Sequence, residues 1–411
     1  MTQILAPAPG IPMPAFPVFV AMMASLMALT ALSIDIMLPA FPQIGGDFAL
    51  TDANAAQLVV TLYFIGFAAG QLFVGPLSDR FGRKAVLLTG LGIYAAASIV
   101  CLLAGSFEIL LAARFVQGAA NAAPRVVSVA VVRDIYGGRR MAEVMSFVMM
   151  IFIIVPVIAP LIGAGILLAG DWHLIFLFLL AVGVAIFAWM ALLLPETRPP
   201  ETREPLSASW IIAAFGETVR TRQTLGYTLA TGAIFGGMMG YINSSQQIFT
   251  DVYGEGTLFP VFFGLTAVSL AFAALLNSQM VGRFGMRRIS HAALIGFTAL
   301  GILHAGIAGI WGPPPLPLFI GLISLTLFCF GLMMPNFNSI AMEPMGRIAG
   351  TASSFVGAVT TAVAVVLGLL VGQSFNGNVM PLLLGYACFG LIALAIVLTV
   401  ERGRLFGTGA A

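Results

Sequence analysis

A soluble chain of 411 residues would ordinarily fold as two or three domains, but this one is 60% hydrophobic and only 8% charged, with a mean hydropathy of +1.05. A water-facing surface needs roughly a quarter of its residues charged, which 18 basic and 16 acidic residues cannot supply here. The composition excludes nucleic-acid binding, soluble catalysis and intrinsic disorder as primary roles, and it calls for a lipid bilayer around an all-α integral membrane fold.

Residues 1–17 hold five prolines and no Lys or Arg, so they lack the basic start of a secretory signal and read as an irregular cytoplasmic lead-in. A helix crosses the hydrocarbon core with about 20 apolar residues. Twelve stretches reach that length: 18–41, 55–75, 85–104, 107–132, 142–168, 173–194, 224–249, 258–280, 288–310, 316–340, 348–373 and 378–399. The predicted organisation is a six-helix bundle over 18–194, a polar Pro-, Arg- and Glu-rich central loop over 195–223, a second six-helix bundle over 224–400 and a tail over 401–411. Cys101, Cys329 and Cys388 lie within apolar runs and imply neither a disulfide nor a thiolate metal site.

Charge placement orients the spans. Arg80, Arg83, Lys84, Arg133, Arg139, Arg140, Arg198, Arg203, Arg220, Arg222, Arg283, Arg287, Arg288, Arg347, Arg402 and Arg404 fall on one set of alternating links and the tail. The opposite links hold no Lys or Arg, but they hold Asp47, Asp52, Glu108, Asp171, Asp251 and Glu255. The positive-inside rule puts the basic links and both termini in the cytoplasm.

The halves echo each other. Gly75 to Lys84 (GPLSDRFGRK) aligns with Ser278 to Arg287 (SQMVGRFGMR) at an offset of 203, with Gly282 in place of Asp79. Repeated six-helix units with a midplane site between them are the plan of a secondary transporter.

An ionisable residue inside a span costs roughly 2.5–3.5 kcal/mol on insertion scales and marks function by default. Three qualify: Asp35, Arg114 and Arg125. Asp35 and Arg114 both lie roughly 10 Å below the outer surface at 1.5 Å per residue. Equal depth and opposite charge make them expected partners, directly or through water, with protonation of Asp35 changing which side is open; a static ion pair is the plainer reading. At 100° per residue Gln117, Asn121, Arg125 and Ser128 share the face of Arg114, and so long a polar stripe cannot face lipid. Arg125 suits either a substrate anion, or snorkelling and pairing with Glu143.

The segment at 75–84 ends the second span at Gly75 and Pro76 and anchors at the inner leaflet through Arg80, Arg83 and Lys84. Asp79 can cap a neighbouring helix or pair with a basic residue, and contacts of that kind suit a gate. Pro156, Pro160, Gly163 and Gly165 predict a kink and tight packing in span five. Gly232, Gly236 and Gly240 form a packing ladder in span seven, and the polar run after it, with Asn243 and Gln246, borders the expected cavity. Tyr63, Phe64, Phe152, Tyr241 and Phe337 are candidate cavity aromatics, although lipid contact or core packing is the better default for any one of them. The three His residues lack acidic companions and read as hydrogen-bonded or snorkelling side chains.

These segments resemble the major facilitator superfamily, and within it the twelve-span drug:H+ antiporters. GPLSDRFGRK over Gly75–Lys84 matches motif A. RFVQG from Arg114 is similar to motif B, PVIAPLIG over Pro156–Gly163 to the antiporter motif C, and SIDIMLPAFP over Ser33–Pro42 to the acidic first-span motif. With RDIY at Arg133–Tyr136, LPET at Leu194–Thr197 and AGTASS at Ala349–Ser354, the chain resembles the bicyclomycin and chloramphenicol resistance (Bcr/CflA) subfamily. The resemblance implies the pseudo-twofold fold of that superfamily, Asp35 as the proton-binding acid and Arg114 as its coupler. It also implies a cytoplasmic gate motif of Gly75, Asp79, Arg80, Gly82, Arg83, Lys84 and Asp134. Departures are Ala159 and Ala164 where glycines are usual, the missing acid of the second-half gate, which puts gating mainly on the first half, and the extra cation Arg125.

The expected function is therefore proton-coupled export of small amphipathic, drug-like molecules across a bacterial-type inner membrane. Tyr63, Gln117, Asn121, Arg125, Tyr241, Asn243, Gln246 and Phe337 are the expected cavity set. The alternative is a transporter or exchanger of an anionic or zwitterionic metabolite. No HExxH, GxSxG or Walker pattern supports an enzyme. No metal or cofactor beyond the proton gradient is expected. The expected partners are substrate, protons and lipid, with no nucleic acid, and the expected working unit is a monomer.

Overall fold

The computed structural model describes residues 14–203 and 208–407. Among the described residues there are twelve long helices and no strands. The first six are α1 (Phe16–Asp35), α2 (Leu58–Phe81), α3 (Arg83–Leu102), α4 (Phe107–Ile135), α5 (Gly138–Leu167) and α6 (His173–Leu193). The second six are α7 (Arg222–Gln247), α8 (Phe259–Phe284), α9 (Met286–Trp311), α10 (Leu316–Met342), α11 (Ala349–Gln373) and α12 (Met380–Val400). Eleven of them are long and apolar enough to cross a membrane. The other, α7, is about 39 Å long at 1.5 Å per residue but carries a polar run. Nearly all of it from Thr224 to Gln247 is buried, so protein rather than lipid surrounds its polar groups.

Two bundles follow from the packing. In the first, α2 lies along α4, α3 touches α4 and α6, and α1 touches α5; in the second, α8 lies along α10, α9 touches α10 and α12, and α7 touches α11. Each contact has its counterpart six helices later. The bundles meet where α2 packs on α11 and α5 on α8, a pair of contacts that the pseudo-twofold exchanges. The sequence offset of 203 is visible in the backbone as well. Gly82 (φ 97°) separates α2 from α3, and Gly285 (φ 80°) separates α8 from α9. Both lie in the region that only glycine enters at little cost.

Two expectations need correction. Gly75 and Pro76 do not end the second span, because α2 continues through Pro76 to Phe81 and stops at Gly82; proline removes one hydrogen bond without breaking a helix held by its neighbours. The central segment is not all loop, since Ala208–Arg220 forms a helix that lies on α11, with Phe215 against Phe355 at 4.9 Å. The glycine ladder of α7 packs as expected: Gly232, Gly236 and Gly240 abut Val363, Leu367 and Val371 of α11. Close approach of this kind is how small residues bind helices together in lipid.

Candidate functional site

α1 breaks just where its acid lies. Pro39 cannot donate and disfavours helix before it, so the helix ends at Asp35, passes through the turn Leu38–Ala40 and resumes as the short helix Phe41–Asp47. Asp35 is 4% exposed, and among the described residues nothing donates to its carboxylate or pairs with it. Gly163 of α5 packs on the carbonyl of Ile36, the next residue, so closely that a Cβ there would overlap it. The antiporter-like segment therefore touches the turn beside the acid. Pro156 and Pro160 lie within the continuous α5.

Arg114 is fully buried at the heart of the first bundle. Its Nε donates to the Val59 carbonyl at 3.0 Å, its Nη2 to the Ser33 carbonyl at 3.0 Å, and its Nη1 to Oε1 of Gln117 at 2.6 Å. The Tyr63 ring lies 4.5 Å from the guanidinium, and Asn121 donates to the Tyr63 hydroxyl. Gln117 donates to Ser98 at 2.8 Å, while the Ser33 and Tyr94 hydroxyls are 2.7 Å apart. One guanidinium thus ties α1 and α2 to α4, and its amide and hydroxyl neighbours reach α3. The expected direct pair with Asp35 is not formed, because backbone carbonyls and Gln117 take the arginine's donors. The connection to Asp35 runs instead through Ser33, two residues earlier on α1.

The remaining candidates are dispersed. Arg125 donates to the Met27 sulfur, and Glu143 pairs with Arg140 at 2.8 Å, not with Arg125. Tyr241 stacks on Phe263 at 5.4 Å and shares a hydrogen bond with Thr266 at 2.7 Å. Asn243 donates to the Gly368 carbonyl at 3.4 Å, and Gln246 to Thr250 at 3.0 Å. Phe337 meets Tyr227 edge-on at 5.1 Å, away from the Arg114 cluster. The side chain of Phe152 lies outside the described residues. Composition alone did not single out Phe235, which faces Phe64 across the bundle interface at 6.4 Å and neighbours Phe330 at 6.1 Å.

At the end of the molecule bearing the basic links, the motif residues form one network. Arg83, 1% exposed, binds Asp79 at 2.8 Å and Asp134 at 2.9 Å. Arg198 also binds Asp79, at 3.0 Å. Glu196 accepts from the backbone of Arg83 and Lys84 at 2.8 and 3.2 Å, capping α3 where its N–H groups are unpaired. The Lys84 ammonium donates to the Ala191 carbonyl at 2.7 Å, while Arg80 is exposed. Gly75 reaches the other bundle, facing Ser354 of α11.

The second bundle repeats this network with different acids. Arg287 binds Glu343, just after α10, at 2.9 Å and Glu401, just after α12, at 3.1 Å. Tyr227 donates to Glu401 at 2.7 Å and lies 2.8 Å from Nε2 of His291, whose Nδ1 accepts from the Phe406 backbone at 3.0 Å. The acid absent at Gly282 is thus supplied by two neighbouring helix ends, which no linear motif displayed.

At the opposite, acidic end, four amides seal the bundles together. Asn54 donates to the Phe375 carbonyl at 2.9 Å, Gln373 to the Asn54 carbonyl at 2.9 Å, and Gln247 to the Asn54 side chain at 2.9 Å. Gln57 donates to Gln247 and to the Gly372 carbonyl. A buried polar seam of this kind is strongest when every partner is satisfied.

Helices in two related sixes, a buried charged cluster and paired ionic networks are the architecture of a polytopic membrane transporter rather than an enzyme. Residues 23–369 match the family model of the Major Facilitator Superfamily, and the chain belongs to that family. It is 30% identical over 404 residues to a bicyclomycin resistance protein homolog of Haemophilus influenzae, covering 94% of this chain and 96% of that one. It is 32% identical over 361 residues to an uncharacterized MFS-type transporter, YdgK, of Bacillus subtilis, covering 85% and 87%. To the multidrug resistance protein MdtL of Shigella flexneri it is 29% identical over 388 residues, covering 92% and 95%. These relatives agree with the Bcr/CflA resemblance of its motifs. Two solved structures share the fold: the human organic anion transporter MFSD10 (TM-score 0.67, 18% identity, 95% of this chain and 100% of that one) and a bacterial homolog of the human lysosomal transporter Spinster (TM-score 0.71, 16% identity, 95% and 98%).

Proposed function

We propose that this transporter is a proton-coupled antiporter that exports small amphipathic, drug-like molecules across the inner membrane, with both termini cytoplasmic. It works as a monomer and needs no cofactor beyond the proton gradient. The observation that carries this reading is Asp35: a buried carboxyl with no hydrogen-bond or ion-pair partner among the described residues, two residues from the carbonyl that Arg114 holds. Such a group exchanges a proton without first breaking a bond, and the break after α1 lets its charge act on the packing of α1 against α5. The basic links support the orientation. Relatives named for bicyclomycin and multidrug resistance support the substrate class, and the Phe64–Phe235 pair offers apolar contact between the bundles.

Transport of an anionic or zwitterionic metabolite has less support, because each Arg114 nitrogen already donates within the protein. The test is substrate-induced proton release from everted vesicles, together with a susceptibility screen in an exporter-deleted host. Asp35→Asn should abolish both proton release and resistance while the protein still folds. Undiminished proton release in that variant refutes the assignment of Asp35; resistance that no compound in the screen gains refutes the substrate class.

A further inference from the structure

Two open apolar grooves lie on the flanks of the bundles, and they differ in one respect. The larger, about 550 Å³, lies between α1 and α6 and is lined by Ser25, Ala28, Leu32, Ala185, Ile186 and Trp189 among others, with no charged residue. The second, about 380 Å³, lies between the basic ends of α8, α9 and α10 and is lined by Phe284, Arg288, Ile289, Ala293, Cys329 and Leu332 with their neighbours. It is an apolar slot with a cation at its mouth.

The mouth is more basic than the lining alone indicates. Arg283 sits over the Phe284 ring at 5.4 Å. Arg283 and Arg288 are both exposed, and neither takes part in any ion pair among the described residues. Arg287, between them in sequence, is turned the other way and held by Glu343 and Glu401. Two cations are therefore left at the surface beside the groove. Leu332 and Cys329 lie ten and thirteen residues from the basic end of α10, and Ala293 lies seven from that of α9, so the slot runs from the helix ends into the apolar part of the leaflet at that end.

We propose that this groove is a binding site for an anionic phospholipid of the leaflet at the basic end, which is the cytoplasmic leaflet in the orientation given above. One acyl chain lies along Ile289, Ala293, Cys329 and Leu332, and the phosphate-bearing headgroup lies between Arg283 and Arg288. Charge complementarity selects the occupant. A zwitterionic lipid brings its own cation beside the phosphate and so neutralises two guanidiniums less well, whereas basic residues between helices at the membrane surface attract anionic headgroups. The α1–α6 groove, with no cation, takes acyl chains without headgroup preference.

The experiment is native mass spectrometry of the detergent-purified full chain, offered equal phosphatidylglycerol and phosphatidylcholine. The wild type should retain phosphatidylglycerol preferentially, and the preference should fall as salt is raised. Arg288→Gln and Arg283→Gln should each lower it about fivefold, in line with one arginine's share of attraction to an anionic surface. The pair together should bring retention to the phosphatidylcholine level. Cys329→Trp, which fills the slot, should also remove the preference, whereas Ala185→Trp in the other groove should leave it intact. The proposal is overturned if the double variant keeps the preference or if Ala185→Trp abolishes it. Displacement of the lipid by inorganic phosphate would show an anion site without a chain slot and would equally overturn it. So would a dimer lost in Cys329→Trp, which would show that a second copy covers the groove.

Discussion

The guanidinium of Arg114 donates to the carbonyl oxygen of Ser33 at 3.0 Å, two residues before Asp35 on the same helix. The basic member of the pair is thus fastened to the backbone that carries the acid, and not to the acid itself. A planar fork reaches Val59, Ser33 and Gln117 together, which a lysine ammonium on a flexible stem does not. Arg114→Lys should therefore keep the charge yet lose about 1.5–3 kcal/mol of stability, the worth of a charged hydrogen bond, and should uncouple transport from the proton gradient. Thermal unfolding and proton release in everted vesicles read the two effects. Wild-type values for both would show that charge alone suffices.

Gly118 lies in the same segment and sets how close α2 comes to α4. A Cβ there would overlap the Tyr63 carbonyl, which is backbone and cannot turn away. Gly118→Ala should force the helices apart and shift Tyr63 from beneath Arg114. Overpacking of this kind costs about 1–3 kcal/mol. The expected outcome is a lower melting temperature with transport lost more than expression. Gly92→Ala on α3, where a Cβ meets nothing within 4 Å, is the control.

The two acids that hold Arg287 should not be equal. Glu343 is 36% exposed and Glu401 17%, against 11% for the arginine. Water screens the first pair, so Glu343→Gln should cost under about 1 kcal/mol. Each acid has a second partner, Gln223 at 2.8 Å for Glu343 and Tyr227 at 2.7 Å for Glu401, but Glu401 lies deeper, so Glu401→Gln should cost about 1.5–3 kcal/mol. Melting curves of both variants decide the order; the reverse ranking would mean that the α10 end, not the α12 end, anchors the second network.

Much of this architecture was legible in the sequence because lipid makes errors expensive. Apolar length marked twelve stretches; eleven of the helices are apolar enough to cross a membrane, and the twelfth, α7, is shielded by its neighbours. The offset of 203 between Gly82 and Gly285 survives because both turns need a positive φ. Asp35, Arg114 and Arg125 stood out because little else in the spans is charged. What a linear reading did not show was pairing. Glu343 and Glu401 lie 56 and 114 residues from Arg287 and belong to no shared motif, so only the packing of α9, α10 and α12 brings them together. Depth and sign pair Arg114 with Asp35, but its three nitrogens donate to the Val59 and Ser33 carbonyls and to Gln117. The helix at Ala208–Arg220 was hidden within a segment read as polar loop.

In the proposed export cycle, the amide seam is the contact that opening at the acidic end must break. Asn54 belongs to the first bundle and Gln373 to the second, and each donates to the backbone of the other segment, Gln373 to Asn54 at 2.9 Å and Asn54 to Gln373 at 3.3 Å. No charge is involved, so salt should not open it. A covalent tie should hold it shut. In a background with Cys101, Cys329 and Cys388 replaced by serine, Asn54→Cys with Gln373→Cys and a short reducible bifunctional thiol reagent should stop transport, and reductant should restore it. Each single substitution, treated identically, should transport normally. Full transport by the cross-linked pair would mean that this end of the molecule does not open in the cycle, and that substrate leaves by another route.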